Sequence, residues 1–89
     1  MATPIAINKT THRGRWIING KHAVTLARHD AKRSKAVIEW SKEEYQTNDR
    51  GRRVMVFVEK REEIIIGGTG RAAVEAIAKL IEMGEFATH

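Results

Sequence analysis

The clearest alternation of apolar and polar positions starts at residue 13. RGRWII over 13–18, Asn19-Gly20 and KHAVTLAR over 21–28 read as two strands joined by a two-residue turn. Asn-Gly tolerates positive φ at both central positions, as a type I′ turn requires. Parity puts Arg13, Arg15 and Ile17 on one face and Gly14, Trp16 and Ile18 on the other. On the second strand His22, Val24, Leu26 and Arg28 share a face.

After a basic turn, HDAKRSK, the segment AVIEW over 36–40 predicts a third strand. One longer helix over 34–46 is the alternative. Ser41 and Glu44 have the spacing of a capping box, which predicts a short helical turn through Tyr45. Asn48-Asp49-Arg50-Gly51 is a turn signal. RVMVFVE over 53–59 is apolar on both faces, as in a central strand covered twice, with Val54, Val56 and Val58 opposite Met55 and Phe57. EKRE over 59–62 predicts a turn and EIII over 63–66 a fifth strand.

Gly67-Gly68-Thr69-Gly70 breaks that strand, and a helix is expected over 71–83. Ala73, Val74, Ile77, Leu80 and Ile81 form its apolar stripe. Thr69 is the expected N-cap and Gly84 the expected C′ residue, with Phe86 folding back. The predicted fold is α+β: a small antiparallel sheet of about five strands with one C-terminal helix packed across it. Residues 1–11 lack periodicity and read as a flexible or edge-pairing arm, and residues 12–89 as a single domain.

Charge sharpens the picture. Lys9, Arg13, Arg15, Lys21, Arg28, Lys32, Arg33 and Lys35 face only Asp30 in the first 35 residues, a net of +7. The remainder nets −2. With a pI near 10.0, this asymmetry implies an anionic partner, nucleic acid or an acidic protein surface. Arg50, Arg52 and Arg53 make a further basic turn. If the basic turns converge on one edge or face, they would track a phosphate backbone.

Trp16 and Trp40 are candidates for base stacking, although a strand tryptophan more often packs inward. Thr69, Gly70 and Arg71 are candidates for one phosphate contact, because a glycine-rich turn opening a helix presents free amides. The same glycines also serve a plain strand-to-helix reversal, and the spacing matches no nucleotide-binding fingerprint.

Other chemistry finds little support. There is no cysteine, so disulfides, thiolate metal sites and cysteine nucleophiles are excluded; this fits a reducing, cytoplasmic setting. His12, His22, His29 and His89 lack ligand spacing, so no metal or cofactor is expected. Neither serine sits in a nucleophile elbow, and the paired glutamates diverge if they lie on strands. No enzyme activity is expected. No window is apolar enough to span a membrane, and no secretory signal is apparent.

The order of strands before one C-terminal helix, over roughly residues 13–83, resembles the architecture of small sheet-based nucleic-acid binders. Examples are the plant ethylene-response DNA-binding domain, the arm-binding domain of phage integrases and the whirly-type single-strand binders. The resemblance carries no motif, and no binding residue transfers with it. Together with the basic hairpin and turns, it points to a non-enzymatic nucleic-acid-binding module that contacts the phosphate backbone through them. The alternative is a phage- or plasmid-type inhibitor or adaptor that docks its basic face on an acidic or nucleic-acid-binding protein surface. A bare apolar sheet face carrying Met55, Phe57 and Trp40 would favour a homodimer.

Overall fold

A computed structural model describes residues 6–89. The elements run β1 (Ile7–Lys9), β2 (Arg15–Ile18), β3 (His22–Arg28), β4 (Arg33–Thr47), β5 (Arg53–Gly67) and α1 (Arg71–Glu82). The strands form one antiparallel sheet in sequential order. This is the expected α+β architecture of five strands and one helix.

The first hairpin forms as its sequence requires. Asn19 and Gly20 take φ of 53° and 68°, and the Lys21 amide donates to the Ile18 carbonyl at 3.0 Å. Asn19 also holds the chain before β1. Its amide donates to the Ala6 carbonyl at 2.7 Å, and its Oδ1 accepts from the Ala6 amide at 2.8 Å. Residues 7–9 of the expected arm are therefore an edge strand of the sheet. Residues 1–5 of that arm lie outside the described part.

One face of the sheet is covered. Trp16, Ile18, Val24, Ala36, Ile38 and Trp40 point to it and pack against Val74, Ile77 and Ala78 of α1 and against Phe86. Phe86 folds back as expected. α1 ends in a Schellman motif: the Gly84 amide donates to Ile81 and the Glu85 amide to Leu80. Its start differs from expectation. Gly70, not Thr69, is the N-cap, and no side chain caps the helix.

The largest departures lie in β4 and β5. Residues 41–44 are strand, not a capped helical turn. Ser41 Oγ donates to Glu59 at 2.8 Å, and Glu44 pairs with Lys60 Nζ at 3.4 Å. The capping pattern is used across the ladder instead. The block at 59–62 is likewise strand. It contains no Gly, Pro, Asn or Asp to force a reversal, and Arg61 lies opposite Glu39. The two strands pair without a break from Arg33↔Gly67 to Thr47↔Arg53. β5 is therefore an edge strand of the sheet, not a central one covered twice. Its exposed apolar residues reflect a lack of cover: Phe57 is 65% exposed and Met55 48%.

β3 reaches β4 only as far as the His22↔Trp40 pair. Beyond it, residues 41–47 and 53–59 continue as a two-stranded ribbon, flanked at its base by the C-terminal segment, whose Thr88 carbonyl accepts from the Glu43 amide. At about 3.4 Å per residue the ribbon projects roughly 20 Å from the body. The molecule is correspondingly elongated, 53 × 33 × 24 Å.

Candidate nucleic-acid interface

A sequential antiparallel sheet sends alternate connections to opposite ends. The β1–β2 loop, the β3–β4 turn and the β5–α1 turn therefore share one end of the molecule. Backbone bonds knit them together. The Leu26 amide donates to the Gly14 carbonyl at 2.8 Å, and the Gly68 amide to the Lys32 carbonyl at 2.8 Å. Ser34 Oγ donates to the Gly68 carbonyl at 2.9 Å. Gly14 allows the first of these crossings: its φ is +75°, and a Cβ there would sit 3.0 Å from the Leu26 carbonyl oxygen.

These turns surround a cleft of about 560 Å³. Trp16 and Leu26 lie on its apolar lining, while Lys9, Arg13, Arg28, Asp30, Thr69 and Gly70 contribute its polar part. Lys9 Nζ stands 5.7 Å from the Trp16 ring centroid. Asp30 is the only carboxylate on the cleft lining. It accepts from the Lys32 and Arg33 amides, both at 2.8 Å, and from Arg33 Nε at 2.8 Å. The two amides share Oδ1, and Arg33 Nη2 lies 2.7 Å from the same Oδ2 that accepts from Nε. The Lys32 amide above all, then the Arg33 side chain, holds the Asp30 carboxyl below the usual carboxylate range. Its charge is already answered within its own turn. Among the described residues, Lys9, Arg13 and Arg28 make no ion pair.

The remaining expected site residues divide by position. Arg15 and Lys35 project from the uncovered face, where Lys35 meets Glu63 at 3.4 Å. Lys21 sits beside the Asn-Gly turn at the opposite end of the hairpin. Arg71 turns back to Glu75 at 3.2 Å. Arg50, Arg52 and Arg53 crown the ribbon tip. There Asn48 Oδ1 accepts from the Arg50 and Arg52 amides at 3.0 and 2.9 Å. The Arg53 guanidinium lies 4.7 Å over the Tyr45 ring. The basic turns thus do not converge on one edge or face. An antiparallel meander places the two main sets at opposite ends of its long axis.

The stacking candidates also move. Trp16 and Trp40 are each 8% exposed and belong to the core. Trp40 lies on the helix-covered face, where its Nε1 donates to the Ala87 carbonyl at 3.0 Å, so it is not part of the bare apolar face. Lys9 was outside the expected site. Its signal was legible only through register, which sets it opposite Trp16.

Among the described residues no helix is long and apolar enough to cross a membrane, and no three His, Asp or Glu side chains gather around a common point. Comparison with protein-family models, curated proteins and solved structures yields no match.

Proposed function

We propose that this protein is a non-enzymatic nucleic-acid-binding module that grips the phosphate backbone through the cationic cleft at the start of α1. The observation that supports it is the composition of that cleft. Among the described residues, three cations without ion-pair partners, Lys9, Arg13 and Arg28, line it, and its one carboxylate is occupied by its own turn. Lys32 extends the positive surface along the adjoining turn, where Arg33 is paired with Asp30. Cations arranged this way release condensed counterions when they meet phosphates, which makes binding favourable and salt-dependent.

The ribbon supplies a second contact. A two-stranded β-ribbon fits the major groove, and Arg50 and Arg52 at its tip provide phosphate or base-edge donors. The uncovered sheet face is a poorer track for phosphates. Glu39, Glu43, Glu59 and Glu63 interrupt its arginines and lysines. A chain without cysteine suits the reducing cytoplasm, where such targets lie.

The reading is tested by titrating the protein into labelled single-stranded DNA, duplex DNA and RNA of equal length at physiological salt. Micromolar or tighter binding to at least one supports it. Binding to none would shift the cleft to an acidic protein surface as its target.

A further inference from the structure

The outer edge of β5 is fifteen residues long, contains no proline, and has no backbone partner among the described residues. Natural sheets rarely leave such an edge unprotected, because its free amides and carbonyls template further pairing. We infer that this edge is the interface of a symmetric homodimer, in which two copies of β5 pair antiparallel about a two-fold axis through Lys60.

Backbone geometry limits the register. The Glu43 amide donates to the Thr88 carbonyl, away from β5, and the Gly68 amide donates to Lys32, toward β4. Alternate residues of a strand address alternate sides. With the unbroken register of β4 and β5, odd-numbered residues of β5 therefore turn their amides and carbonyls to the open edge. Two such edges bond only when odd residues face odd residues, so the paired residue numbers must sum to an even value.

Side-chain chemistry then favours one register over its two neighbours. When residue numbers sum to 120, Glu59 faces Arg61 of the second copy, twice by symmetry. Val54, Met55 and Val56 face Ile66, Ile65 and Ile64. Sliding by one step in either direction places Glu59 opposite Glu63 or opposite another Glu59, and like charges directly opposed are destabilising. Only Lys60 meets its own kind at the axis, and each Lys60 already has Glu44 at 3.4 Å. The arrangement also supports the ribbon. An isolated two-stranded ribbon is marginal in water, whereas here residues 53–59 gain a third strand from the second copy.

The inference is independent of nucleic-acid binding and is read without it. Light scattering at tens of micromolar should give twice the 10.1 kDa chain mass. Because the chain has no cysteine, the register can be read by single substitutions. Lys60→Cys places two thiols in a directly opposed, non-hydrogen-bonded pair, with Cα atoms about 4.5 Å apart and within disulfide reach. Mild oxidation should link it rapidly. Val58→Cys and Glu62→Cys should each link slowly alone and rapidly when mixed. Arg61→Glu should yield single-chain mass, and Glu59→Arg combined with Arg61→Glu should restore the dimer, with circular dichroism confirming folded protein throughout. A single-chain mass for the wild type overturns the inference. So does a dimer in which Lys60→Cys links no faster than Val58→Cys or Glu62→Cys.

Discussion

The Glu43 amide donates to the Thr88 carbonyl at 2.7 Å, so the C-terminal segment takes the place beside β4 that β3 vacates after its pair with Trp40. The same segment accepts from two buried aromatic donors of the sheet. Trp40 Nε1 bonds the Ala87 carbonyl at 3.0 Å, and His22 Nε2 meets the Phe86 carbonyl at 2.7 Å. A carbonyl can only accept, so His22 carries its proton on Nε2. Its Nδ1 is buried without a partner among the described residues. Phe86 sits edge-on to Trp40 at 5.3 Å between ring centroids.

Phe86, Ala87 and Thr88 are therefore structural. Phe86→Ala should cost about 3 kcal/mol, the low end for a buried aromatic truncation. For a domain of this size that lowers Tm by roughly 12 °C or more. Deleting residues 86–89 should cost more, because Trp40 and His22 also lose their acceptors. Thermal melts followed by circular dichroism check both; an unchanged Tm would show that the tail does not hold the sheet.

The Asn19-Gly20 turn serves two strands at once. Gly20→Ala should cost about 1 kcal/mol, because alanine resists the positive φ found there. Asn19→Ala should cost at least as much, since the Oδ1 bond to the Ala6 amide is lost as well. Hydrogen exchange at residues 7–9 should accelerate in Asn19→Ala more than in Gly20→Ala. Equal rates would mean that β1 does not depend on the Asn19 side chain.

Much of this fold could be read in the chain. Asn-Gly between alternating strands fixed the first hairpin, and the stripe from Ala73 to Ile81 fixed the covered face of α1. The misreadings share one cause. Ser41, Glu44 and the block 59–62 carry local signals for a helix cap and a turn, but the partner strand decides their conformation. Strand pairing across the hairpin is non-local and has no signature at either residue alone. The same holds for the cleft. Arg13, Arg28 and Thr69 are far apart in sequence, and only the order of strands brings them to one end.

Acid should weaken the β3–β4 turn. The Asp30 carboxyl titrates below its ordinary value of 3.8 in the folded chain. Its contribution is thus complete above the unfolded value and is lost as pH falls through the lower folded one. Melts between pH 2 and pH 7 should show Asp30→Asn losing part of the wild-type decline below about pH 4 while lying below the wild type near neutrality. Parallel profiles would mean that the Asp30 bonds contribute nothing to the turn.

At the ribbon tip, replacing both Arg50 and Arg52 with Ala should leave folding stability within about 0.5 kcal/mol of the wild type, as exposed substitutions do. Affinity for the preferred nucleic acid should fall, and the salt slope should drop by about one unit per lost phosphate contact. An unaltered slope would remove the ribbon tip from the interface.

The salt dependence of binding in the cleft variant is the most direct test of the account. Arg13→Ala combined with Arg28→Ala removes two cations that make no ion pair among the described residues, so the fold should be unaffected. Fluorescence anisotropy across a range of salt concentrations should show weaker binding and a slope of log Kd against log salt reduced by about two. Wild-type affinity and slope in a correctly folded double variant would contradict the assignment of the cleft as the phosphate-gripping site.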